Sequence, residues 1–191
     1  MNTLKEKFSI IALIFSMLSI SASPNPIMLI SVYIIHEAGH IFFARLTGAK
    51  IKKMRGGVFH LSISCSTEAL SYKKEALVCL GGIIFNLLFA LFTFFINVQK
   101  NDTLSTFSLL NASLALMNLY PVSILDGGGI LKSLLLIKTR EDVAEKICLI
   151  VSFVFAIILW LVSVYLQIIF SANVSLFLIS VLLLIQLCFS I

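Results

Sequence analysis

The sequence predicts an all-α polytopic membrane protein of about six transmembrane helices, with a small membrane-associated β-hairpin between the second and third. Three observations predict it. The 191 residues are 60% hydrophobic and only 12% charged, about half the charge of a soluble domain, and mean hydropathy is +1.09. Apolar runs recur from end to end, separated by short polar connections. The basic residues fall on alternate connections. With the amino terminus inside, Lys100 alone among the 14 Lys and Arg lies on the outer side, the asymmetry that orients membrane helices.

Each element follows in order. Residues 8–22 form a short apolar run closed by Ser21-Ala22-Ser23-Pro24-Asn25-Pro26, read as a retained first span rather than a cleaved signal. The second span is 27–47. The polar stretch after it holds Lys50, Lys52, Lys53, Arg55, Lys73 and Lys74. Within it, 58–65 alternates, with Phe59, Leu61, Ile63 and Cys65 on one side. A period of two after Gly56-Gly57 predicts a strand of a hairpin lying against the membrane face. Spans three and four are 76–98 and 106–119. The chain breaks at Tyr120-Pro121, and the last spans are 147–170 and 173–191. The whole, 1–191, reads as one domain, with no PDZ or CBS module expected. Both termini are expected in the cytoplasm.

Composition also excludes classes. The net charge of +5 serves as a topology signal, and no nucleic acid partner is expected. Cys65, Cys79, Cys148 and Cys188 show no paired spacing, so they read as small apolar fillers rather than a disulfide framework.

Two acids stand apart from the rest. Of nine Asp and Glu, Glu37 and Asp126 alone lie in or beside apolar stretches, where a charge needs a partner. Glu37 belongs to His36-Glu37-Ala38-Gly39-His40. On a helix, residues four apart share a face, so the two imidazoles can share one zinc ion, with Glu37 placed as a general base. His36 would lie about 13 Å below the outer end of its span. Asp126 follows a broken span, where irregular backbone can dip into the protein interior. Two His and one carboxylate leave a fourth position open, the donor set of a catalytic zinc site. Against this, Asp126-Gly127 is a common turn pair, and Asn86 and Asn118 read equally as helix–helix glue.

His36-Glu37-Ala38-Gly39-His40, together with Asn118-Leu119-Tyr120-Pro121-Val122-Ser123-Ile124-Leu125-Asp126-Gly127-Gly128, resembles the site-2 protease family of intramembrane zinc metalloproteases. The layout is most similar to its sporulation-type branch. The resemblance implies one Zn2+ per chain held by His36, His40 and Asp126, with Glu37 catalytic. It implies that Asn86, Asn118 and Pro121 shape the substrate cleft or donate to an oxyanion. It implies a substrate that is a membrane-associated precursor, such as a pro-sigma or anti-sigma factor, cut within or near its span in the bilayer of the cell membrane. Two positions depart from the family pattern, Ile83 and Ile124, where prolines are usual. The alternatives are a metal-ion transporter, whose intramembrane His, Glu and Asp bind a passing ion, and a catalytically silent membrane-binding homologue.

Overall fold

The protein is described by a computed structural model that covers residues 26–48, 51–57, 60–65, 71–97, 101–170 and 174–188. Six helices are present among these: α1 (Pro26–Thr47), α2 (Tyr72–Ile96), α3 (Asp102–Asn118), α4 (Asp126–Leu136), α5 (Glu141–Phe170) and α6 (Val174–Cys188). Between α1 and α2, strands β1 (Ile51–Gly57) and β2 (His60–Cys65) pair antiparallel, with Gly57 opposite His60 and an irregularity between Ile51 and Lys53.

Local chemistry sets the helix ends. α1 opens on Pro26, whose missing N–H is no loss in a first turn. It closes on Gly48, at φ 74°, the left-handed conformation that glycine adopts without strain. Lys74 Nζ donates to the Thr47 carbonyl at 3.0 Å, so a cation from the start of α2 satisfies the end of α1. At the other end of α2, Asn101 turns the chain into α3, its side-chain oxygen accepting from Thr103 N at 2.9 Å.

α2 is the central helix and packs on α1, α3 and α4. It meets α1 backbone to backbone. A methyl group on Gly39 would collide with the Gly81 carbonyl, and one on Gly81 would lie 2.6 Å from the Gly39 carbonyl oxygen. Small residues let two membrane helices approach this closely. α3 is tied to α2 by Ser108 Oγ donating to Ala90 O at 2.8 Å. Val32, Leu110 and Leu114 form the buried contact between α1 and α3.

The segment 119–125 is the irregular part of the core. Val122 and Leu125 are buried in one cluster with Ala156 of α5 and Ile179, Leu183 and Leu187 of α6. Ser152 of α5 holds its backbone: Ser123 N donates to Ser152 Oγ at 2.8 Å, and that hydroxyl donates to Cys148 O at 2.6 Å. The outward faces of α2 and α5 are apolar, with Phe94, Phe95, Leu161 and Ile168 all exposed, as lipid-facing surfaces are.

Part of the expected span count is matched. Among the described residues three helices are long and apolar enough to cross a membrane: Ile27–Thr47, Tyr72–Ile96 and Glu141–Ile169. The expected fourth span is the 17-residue α3, only about 25 Å long against a hydrocarbon core of about 30 Å. Thr103, Ser105, Thr106, Ser108, Asn111 and Ser113 also make it much less apolar. The expected sixth is the 15-residue α6. The run 8–22 lies outside the described residues. α5 begins six residues before the expected span start at 147, because Glu141 and Asp142 suit a helix amino terminus. Among the described residues Cys79, Cys148 and Cys188 form no disulfide.

Candidate metal centre

The spacing within α1 does what a helix dictates. His36 and His40 stand one turn apart with ring centroids 4.7 Å apart and planes at 85°. Their Nε2 atoms approach to 3.1 Å. Asp126 reaches them from the first turn of α4, its Oδ2 lying 3.0 Å from His36 Nε2 and 3.2 Å from His40 Nε2. The three donor atoms thus make a nearly equilateral triangle.

Those edges can be tested against a metal. Ligands about 2.0–2.1 Å from a tetrahedral zinc lie about 3.3 Å from each other, and the triangle is within a few tenths of an ångström of that. Asp126 Oδ2 is buried and receives no aligned hydrogen bond, although both ring nitrogens are close enough for one. The contacts are short in distance but not directed as hydrogen bonds. Two imidazole nitrogens and a carboxylate oxygen pressed together need positive charge among them, and His36, His40 and Asp126 form a group that can hold a metal ion. The donors are those zinc takes.

The site's walls are specific. His36 is 4% exposed, and His40 and Asp126 are partly buried. A methyl group on Gly82 of α2 would lie 2.6 Å from both His36 Cε1 and His40 Nε2, so the rings occupy the place a side chain would take. His40 Nδ1 is 2.8 Å from the Val78 carbonyl. A carbonyl only accepts, so Nδ1 carries the proton and Nε2 presents its lone pair to the centre.

Asp126 is positioned by its successors. A methyl group on Gly127 would collide with the carbonyls of Leu119 and Tyr120, and one on Gly128 with the carbonyl of Val122. The chain can fold tightly from α3 into α4 only because those side chains are absent.

The remaining sequence-derived residues fall as follows. Glu37 lies beside His36 on α1, partly buried, and Tyr33 stands one helical turn earlier, on the same face as Glu37. Asn86 is fully buried on α2, with its amide 3.4 Å from His36 Nδ1, so it faces a ligand ring. Asn118 is buried, and its amide donates to Leu114 O of its own helix at 3.1 Å. Pro121 lies in the turn between α3 and α4, partly buried. Sequence reasoning missed Tyr33 and Ser152. Helical spacing from Glu37 marks the first, and a polar residue inside the apolar run 147–170 marks the second.

No curated relative matches the chain. Residues 97–162 match the model of peptidase family M50, about a third of the chain. That stretch carries Asn118, Pro121 and Asp126, while His36, Glu37 and His40 lie outside it. Family M50 consists of zinc-dependent metalloproteases of the site-2 protease type, and the match supports a membrane metalloprotease.

Proposed function

We propose that the protein is an intramembrane zinc endopeptidase that cuts a membrane-associated precursor within or near its transmembrane segment. The observation that carries this is the convergence of His36, His40 and Asp126, from two helices far apart in sequence, on one point, with Glu37 the residue next to His36 on α1. In this reading His36, His40 and Asp126 hold the ion. When bound, zinc polarises a peptide carbonyl and brings the pKa of water toward neutrality. Glu37 takes the proton from the attacking water and delivers it to the leaving amine. Tyr33 fixes the carboxylate for that transfer. The general base and all three ligands are present, which favours a hydrolase over a silent binder.

A substrate helix must unwind first, because its carbonyls are held in its own hydrogen bonds. With two strands in the sheet, each keeps an outer edge on which an extended segment can pair. Prolines along β2 then lower cleavage and leave zinc content unchanged; undiminished cleavage rejects the pairing. By its resemblance to the sporulation-type branch, the substrate is a pro-sigma-like precursor.

Co-expression with candidate single-span precursors, native against Glu37→Gln, tests the whole reading. One precursor is cut by the native protein and left intact by the variant, while both proteins carry one zinc. Purified native protein without zinc, or a variant that still cuts, defeats it. Metal flux across vesicles undisturbed in the Glu37→Gln protein points to a transporter instead.

A further inference from the structure

His36 and His40 meet the centre alike but are held from behind by different groups. Val78 O fixes His40 at 2.8 Å. Behind His36 stands the amide of Asn86, its Nδ2 3.4 Å from Nδ1, while Asn86 Oδ1 is buried with no partner. The two ends of an amide are nearly alike in shape and are distinguished by their hydrogen bonds. With nitrogen toward the ring, Asn86 meets a bare Nδ1 and forces the proton onto Nε2, where it blocks a metal. With the amide turned, Oδ1 accepts from Nδ1–H, the orphaned oxygen gains its partner, and the Nε2 lone pair faces His40 and Asp126.

We infer that Asn86 is a positioning residue that holds His36 in its Nδ1–H form through Oδ1, matching on α2 what Val78 O does for His40. This rests on the reading of His36 as a zinc ligand. It gives Asn86 a place behind the site instead of a contact with substrate. Asn86 is 0% exposed, so no water takes over its task.

The test measures zinc affinity by chelator competition on the purified full-length protein in detergent. Asn86→Leu keeps the heavy-atom count and branching and loses the acceptor. Loss of such a partner weakens metal binding about 10–100-fold. Asn86→Asp keeps an oxygen and holds affinity at or above native. Asn111 on α3 is an internal control: it is equally buried, its Oδ1 is also unpartnered, and its amide donates to Phe107 O at 2.9 Å. Asn111→Leu therefore leaves zinc affinity unchanged. A second readout needs no variant: in the zinc-loaded native protein, histidine 15N shifts show His36 protonated on Nδ1. Native affinity in Asn86→Leu, equal losses in the Leu and Asp variants, equal loss in Asn111→Leu, or a proton absent from Nδ1 overturns the assignment while the zinc reading stands. Native protein that binds no zinc overturns both.

Discussion

The Ser152 hydroxyl accepts from the backbone N–H of Ser123 at 2.8 Å, three residues before Asp126. Ser152 has no contact with the metal trio, yet it pins the irregular segment that delivers the carboxylate. Ser152→Ala deletes the acceptor of the Ser123 N–H, a hydrogen bond worth about 1 kcal/mol. The expected result is weaker zinc binding, by about 5-fold on the same scale, with helix content unchanged by circular dichroism. Ser163, which bonds Ser180 on α6 at 3.2 Å, lies farther along α5. Ser163→Ala lowers stability and leaves zinc affinity unchanged. Equal zinc affinities for native and Ser152→Ala protein would show that the segment holds itself.

Gly82 makes a steric prediction. A methyl group there meets His36 Cε1 and His40 Nε2 at 2.6 Å, so the rings have to move or the helices part. Overpacking of this kind costs about 1–3 kcal/mol, and here it falls on the ligand geometry. Gly82→Ala is expected to express and insert normally but to copurify with well under one zinc. Metal analysis of the purified protein decides it, and full occupancy contradicts the wall described above.

Glu37 and Tyr33 separate chemistry from metal binding. Glu37→Gln preserves the shape of the side chain and removes its basicity, so cleavage falls by about 10²–10⁴-fold at unchanged zinc content. Tyr33→Phe keeps the ring and deletes the hydroxyl one helical turn before Glu37, on the same face. A hydroxyl that donates to a carboxylate there is worth about 1.5–3 kcal/mol. Cleavage then drops by about tenfold or more at that magnitude, again with zinc retained. Zinc lost from either variant would assign these side chains to the metal site itself.

The legible part of the site was whatever a single element fixes. His36, Glu37 and His40 lie within five positions of one helix, and helical periodicity alone sets their faces. Asp126 was readable only in company with the two histidines, since Asp-Gly by itself is a common turn pair. What escaped depends on how separate elements cross. Asn86 faces His36 because α1 and α2 touch at Gly39 and Gly81, a relation that no local pattern encodes. Ser152 meets Ser123 only through the packing of α5 on the 119–125 segment. Three of the six expected spans are matched among the described residues by helices that are both long and apolar. α3 is shorter and more polar, with Leu110, Leu114 and Ala115 buried in protein, and its apolar composition alone could not separate packing against protein from contact with lipid.

The three consecutive glycines after Asp126 look equivalent in sequence, and the structure ranks them. Methyl groups on Gly127 and Gly128 run into main-chain carbonyls of 119–122, which cannot yield without unfolding the turn. A methyl group on Gly129 meets only Cys79 Sγ, at 2.9 Å, the end of a side chain that can rotate away. Gly127→Ala and Gly128→Ala are therefore expected to abolish zinc binding and cleavage. Gly129→Ala retains most of both, and any loss is recovered by adding Cys79→Ala, which empties the space the methyl group needs. The gradient separates two roles for the glycine run. If the glycines serve only as a flexible hinge, alanine at all three positions costs a similar, modest amount, because the penalty is then conformational freedom and no backbone obstructs the methyl group. Zinc content and cleavage across the three variants distinguish a steric seat for Asp126 from a hinge. A flat response removes the account of how α4 brings its carboxylate to the two imidazoles.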